Sequence, residues 1–152
     1  ESLPEVQVTA VDVSKESIEV AKFNSLKNKV EVNFKVGDAL NLSSSDLSDE
    51  RWDVVVSNPP YIPLLEKGWM DKNVVDYDPS LALFVPDEEP LLFYDTIGRW
   101  AINSLNKHGK LYFEIHENFG KDVCDLLNGI GFSKVNLIQD LQGKDRVVKA
   151  II

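Results

Sequence analysis

The stretch that decides the fold is Val54 to Pro63, "VVVSNPPYIP", in which three successive valines and a serine run into an asparagine followed by two prolines and a tyrosine. Consecutive β-branched residues, as in "WDVVVS", suit a short central strand of a parallel sheet with both faces covered. A residue before proline is pushed out of the helical region, and two prolines fix φ and stiffen the loop. Asn58 is therefore expected to stand extended at the carboxyl end of the strand. Its side-chain oxygen and the Pro59 carbonyl form a rigid pair of acceptors beside an aromatic wall, Tyr61. Such a pair suits an NH2 group. A plain turn with Tyr61 as a core aromatic would use the same residues, so the neighbouring elements must decide between the two.

Working back toward the start, "VQVTAVDVS" (Val6 to Ser14) reads as a short buried strand ending in Asp12. The segment "SKESIEVAKFNSLK" follows as a helix, with Ser14 as N-cap, Glu16 favourable to the dipole in the first turn, and Ile18, Ala21 and Leu26 near helical spacing. "VEVNFKVGDAL" alternates Val30, Val32, Phe34 and Val36 and then turns at Gly37-Asp38, which is the signature of a strand. Working forward, residues 59–89 hold five of the seven prolines. Little periodicity accompanies them, so a long structured loop that serves function is expected there.

Pro90 opens the helical pattern "PLLFYDTIGRWAINSLNKHG", with Leu92, Ile97, Trp100, Ala101 and Leu105 inward and Gly109 just past its end. "KLYFEI" reads as a strand, "ENFGKDVCDLLNGIG" as a helix, and "FSKVNLIQD" and "DRVVKAII" as strands joined by the turn "QGK". Alternating strands and helices indicate an α/β domain with a mostly parallel sheet, and the final strand pair without a helix indicates an antiparallel C-terminal edge. The 152 residues read as one domain, with no repeat and no low-complexity tract.

Composition narrows the function. Sixteen Lys and Arg against 25 Asp and Glu give a net charge of −9, which offers no footprint for a phosphate backbone. No apolar run approaches the roughly 20 residues of a membrane span, and no basic region with an apolar core opens the chain. A cytoplasmic location is expected. Cys124 is the single cysteine, so it has no internal disulfide partner, and it lies on a helical pattern as core filler. The chain begins with Glu1 and its one methionine is Met70, from which missing upstream sequence is expected.

In open α/β sheets, ligands bind beyond the carboxyl ends of the strands. Three strands end in candidates: Asp12, Asp38 and Asn58. Asp12 is placed to accept from ribose hydroxyls, or simply to lead into the helix. Asp38 is placed to accept from an adenine amino group, or to stabilise the turn after Gly37. Together, at the ends of consecutive strands and followed by "NPPY", they favour a functional site.

These residues resemble the class I S-adenosylmethionine methyltransferases, and among them the HemK/PrmC protein-(glutamine-N5) methyltransferases, which modify peptide chain release factors. "AVDVS", "GDAL", "VVSNPPYIP", "YDPSLALFVP", "EIHENFG" and "GKDRVV" carry the resemblance through nearly all of the chain. Asp78-Pro79 stands where the family usually has Glu-Pro. The resemblance implies a Rossmann-like sheet, with S-adenosyl-L-methionine as cofactor and a release factor as protein partner. It places the ribose contact on Asp12, the adenine side on Asp38 and Ala39, a further cofactor contact on Asn58, and the substrate-amide contact on Asn58, Pro59, Pro60 and Tyr61.

Family members also carry a strand and a glycine-rich loop before the position of Val6, and before that a small helical domain. On that reading the chain is a partial catalytic domain, 1–152, lacking the first strand of the sheet. The gap beside "WDVVVS" is then expected to close by a shift of strands or to be filled by self-association with a second copy.

The amide nitrogen is a poor nucleophile because its lone pair is delocalised. Accepting both of its hydrogens orients it and favours the positive charge that develops on methylation, without a strong base. No catalytic histidine and no metal are expected; His108 and His116 read as surface or capping residues, and Glu114 ends its strand where it could border the pocket. Two other readings compete. One is an adenine-N6 methyltransferase acting on DNA or RNA, with Tyr61 stacked on a flipped base, which the charge opposes. The other is a folded fragment that no longer binds cofactor well.

Overall fold

The computed structural model describes residues 5–44, 47, 49–69 and 83–152. The chain divides into two compact units, Glu1–Ser48 and Asp49–Ile152.

In the first unit, β1 (Thr9–Asp12) leads into α1 (Lys15–Asn28) and then β2 (Asn33–Val36), followed by a short 3-10 stretch, Ala39–Ser44. β1 and β2 pair in parallel from Thr9↔Asn33 to Asp12↔Val36, with α1 as the crossover. Ser14 is the N-cap, its Oγ accepting from the Ser17 amide at 3.0 Å. The helix closes on Lys29 in the left-handed region, whose amide donates to the Leu26 carbonyl. The inward face is narrower than the spacing suggested. Ile18 is buried and Ala21 half-buried, whereas Leu26 is 78% exposed. The expected strands also lose their outer residues, since Val6, Val8, Val30 and Val32 lie outside β1 and β2.

The second unit holds β3 (Trp52–Ser57), β4 (Ile62–Pro63), a 3-10 turn at Leu64–Trp69, β5 (Phe84–Val85), α2 (Leu92–Ser104), β6 (Leu105–Glu114), α3 (Gly120–Ile130), β7 (Lys134–Gln139) and β8 (Asp145–Ile151). Four strands make one sheet in the order β3-β6-β8-β7, and β4 and β5 form a separate two-residue parallel pair. β3 and β6 run parallel because α2 carries the chain back between them. β8 is antiparallel to both β6 and β7 because a tight turn joins it to β7, with Gly143 at φ +81 supplying the left-handed residue.

One face of this sheet is the core. Alternate residues of β6, Leu111 and Phe113, with Ile115 just beyond them, are fully buried, as are Val148 and Ala150 of β8. α2 packs on β6, α3 on β7 and β8, and the two helices on each other. Tyr94 of α2 meets Phe113 edge-on at 5.1 Å. Gly98 permits the helix contact, since a Cβ there would stand 2.9 Å from the Ile130 side chain.

The opposite face corrects one expectation. Val54 is 49% and Val56 74% exposed, so "WDVVVS" is not covered on both sides. Val56 lies in register with Tyr112, which pairs with Lys149, whose ammonium sits 5.7 Å from the Tyr112 ring centroid. β1 pairs with β2 in the first unit, and β3 is an outer strand of the four-stranded sheet, with β6 as its neighbour.

A second correction concerns "NKHG". The helix ends at Ser104, and β6 begins at Leu105 with a bulge, where the register steps from Trp52↔Leu105 to Val54↔Lys110. His108 adopts φ +65 inside it, and a Cβ on Gly109 would meet the Asn106 carbonyl at 2.8 Å. Asn106 donates to Asp53 at 2.8 Å, which ties the bulge to β3. Leu105 is buried as expected, but from a strand.

Candidate functional site

Each unit presents functional candidates at the carboxyl ends of its parallel strands. In the first, the Gly37 amide donates to the Asp12 carbonyl at 3.0 Å, which continues the β1–β2 pairing past the strand ends. Asp12 Oδ1 accepts from the Ser14 amide at 2.8 Å, so the carboxylate is held at the entry to α1. Asp38 Oδ1 accepts from the Leu40 amide and Oδ2 from the Asn41 side chain, both at 2.8 Å, as Ala39 opens the 3-10 stretch. Both carboxylates are thus fixed by local hydrogen bonds along one edge of one strand pair. The ligand and turn-forming readings of Asp12 and Asp38 share the same geometry.

In the second unit, β3 delivers Asn58 to its carboxyl end. Asn58 is exposed, Pro59 buried, and Pro60 and Tyr61 half-buried. Asn58, Pro59 and Tyr61 line a pocket of about 60 Å³ together with Ile62 and Leu83. The proline pair does what its chemistry requires: one ring anchors the turn in the interior while the amide ahead of it stays at the surface.

The far side of Tyr61 is polar. Its hydroxyl donates to Glu114 Oε1 at 3.2 Å, from the last residue of β6. Its ring meets His116 edge-on at 6.1 Å, and His116 in turn lies 5.3 Å from Phe119. The Asn118 amide donates to His116 Nδ1 at 3.2 Å. Tyr94, fully buried, donates its hydroxyl to the Glu114 carbonyl at 3.2 Å. Burial raises the Tyr61 phenol above its ordinary value, the Glu114 carboxylate raises it further, and Arg146 opposes both. Burial likewise pushes the Tyr94 phenol well up.

The "GKDRVV" segment acts around this edge as a fastener. Asp140 accepts from the Gln142 and Lys144 amides at 2.8 and 3.1 Å and pairs with Arg146 at 3.3 Å. Those backbone bonds, ahead of the Arg146 guanidinium, hold the Asp140 carboxyl below the usual range. Lys144 pairs with Glu117 at 2.7 Å, linking the β7–β8 hairpin to the loop after β6.

The structure brings Asn58, Pro59 and Tyr61 to one pocket and leaves Pro60 off its wall. Glu114 is tied to the lining residue Tyr61 through its hydroxyl. Ile62 and Leu83 were in recognisable segments, but nothing in their chemistry marked them as lining residues. Tyr94 read as part of a helix face, with no signal of its bond to Glu114. Asp78-Pro79 and Met70 lie outside the described residues. Among the described residues no group of three His, Cys, Asp or Glu could hold a metal ion, and no helix is long and apolar enough to cross a membrane.

The chain is an α/β scaffold in which parallel strands lead to Asp12, Asp38 and an Asn-Pro-Pro-Tyr turn, beside an antiparallel hairpin. The family model described as methyltransferase domain matches residues 1–128, and the chain belongs to that family. It is 41% identical over 148 residues to a release factor glutamine methyltransferase of Flavobacterium psychrophilum, covering 97% of this chain and 51% of that relative. The chain spans about half the length of the curated relatives it matches. Among solved structures, a methyltransferase from Pyrococcus furiosus shares the fold with a TM-score of 0.65 at 18% identity, covering 95% of this chain and 62% of that one. The protein-(glutamine-N5) methyltransferase (release factor-specific) from Alicyclobacillus acidocaldarius shares it with a TM-score of 0.53 at 22% identity, over 96% of this chain and 79% of that one.

Proposed function

We propose that the protein containing this chain transfers a methyl group from S-adenosylmethionine to the side-chain amide nitrogen of a glutamine in a peptide chain release factor, in the cytoplasm. The observation that carries this reading is the pocket formed by Asn58, Pro59 and Tyr61, with an exposed carboxamide and a carbonyl next to it in sequence. The 41% identity to a release factor glutamine methyltransferase supports it, because that likeness covers 97% of the chain.

The cofactor, when bound, supplies an electrophilic methyl group. Asp12 would hold its ribose hydroxyls, and Asp38 with Ala39 its adenine; both carboxylates are already fixed in place by neighbouring hydrogen bonds, as a preorganised acceptor must be. Asn58 Oδ1 and the Pro59 carbonyl accept the two hydrogens of the substrate amide. That contact aligns the nitrogen and stabilises the positive charge that grows on it. Pro60 keeps the acceptor pair rigid, and the Tyr61 ring walls the amide from water. The sulfonium–methyl bond would break as the N–C bond forms, leaving a neutral thioether, and the proton would pass to solvent afterwards, so no strong base is required of the chain.

The test offers the full-length protein a release factor and an adenine-containing oligonucleotide, each with methyl-labelled cofactor. Label is expected on the release-factor glutamine. Label on the oligonucleotide in its place would overturn the assignment.

A further inference from the structure

We propose that Glu114 is the positioning residue for Tyr61: by accepting the Tyr61 hydroxyl hydrogen at 3.2 Å it commits the phenol oxygen to the end of β6, so that the ring, and not a free hydroxyl, serves the amide-binding pocket that Tyr61 lines. This rests on the amide-methylation reading above. A tyrosine beside an acceptor pair has two possible uses, as a wall or as a second polar group competing for the amide hydrogens. The geometry separates them. Tyr61 lines the pocket while its hydroxyl is committed, 53 residues away in sequence, to the last residue of β6.

Four further contacts surround the pair. His116 meets the Tyr61 ring edge-on at 6.1 Å, an aromatic contact on the ring beside its hydrogen bond. The Glu114 backbone is itself held on two sides, by the register Glu114↔Val147 and by the hydroxyl of the fully buried Tyr94 on its carbonyl. Phe119 backs His116 at 5.3 Å. The carboxylate therefore rides on a rigid strand end, and its side chain carries none of the backbone bonds that hold the strand. A side-chain substitution at 114 should leave the fold in place.

The positioning role has two readouts. The first uses the chain as it stands, with the Tyr61 ring followed by NMR through an alkaline titration. A carboxylate that accepts from a phenol favours its protonated form, so Glu114→Gln is expected to move the Tyr61 midpoint to lower pH. An unchanged midpoint would overturn the contact. The second uses the full-length protein in a double-mutant cycle. Glu114→Ala and Tyr61→Phe are each expected to lower kcat about tenfold, with cofactor affinity unchanged, the size of one charge-assisted hydrogen bond. The double variant is expected to be no slower than either single variant, because one interaction is lost in all three. Losses that multiply would show that Glu114 acts apart from Tyr61. If the unsubstituted protein methylates no glutamine, the functional reading fails, while the titration still decides whether Glu114 holds Tyr61.

Discussion

Ser14 shows how much a single side chain can fix when its partners are close in sequence. Its Oγ satisfies the Ser17 amide, one of the orphan donors of the first turn of α1. Replacing it with alanine is expected to cost about 1 kcal/mol, readable as a lower midpoint in urea unfolding of this chain. That role was legible, because it follows from a rule that acts over two or three residues. The bond from Tyr61 to Glu114 was not, since 53 residues separate the partners and neither residue type announces the other. Tyr94 belongs to the same class of hidden contacts. Its phenol is raised by burial, so it contributes stability that is complete below the ordinary phenol value of about 10 and is lost as pH climbs above it. Stability measured by chemical denaturation is expected to fall above about pH 10, and Tyr94→Phe is expected to flatten that fall.

At the scale of elements, the two faces of the four-stranded sheet respond to substitution in opposite ways. Phe113 is fully buried against Tyr94, and Phe113→Ala is expected to cost about 3–5 kcal/mol. Val56, 74% exposed on the other face, is expected to tolerate threonine within about 0.5 kcal/mol. Equal losses at both positions would show that the outer face is covered in solution. The order of strands and helices was legible because each long element repeats its own period. Element ends were less so: "NKHG" carries the glycine of a helix stop, yet it forms a bulge inside β6, because Asn106 finds its partner in Asp53 on the neighbouring strand. The burial of β3 was misjudged for a related reason. Successive valines report a preference for strand, but which faces are covered depends on elements elsewhere in the chain.

Across the whole molecule, the two compact units divide the chemistry, the first holding Asp12 and Asp38 and the second holding the Asn58–Pro59–Tyr61 pocket. The division was not readable, since the sequence reads as one domain and contacts between distant segments decide where the units part. The net charge of −9 offers no basic footprint for a phosphate backbone. The claim on which the account turns is that Asn58 accepts from the substrate amide in the transition state. Its most direct test is the rate of glutamine methylation by the full-length protein carrying Asn58→Ala, measured beside its affinity for S-adenosylmethionine. The account predicts a fall in kcat of at least about a hundredfold, the loss of one preorganised acceptor or more, with cofactor affinity little changed. Turnover retained in Asn58→Ala would contradict it.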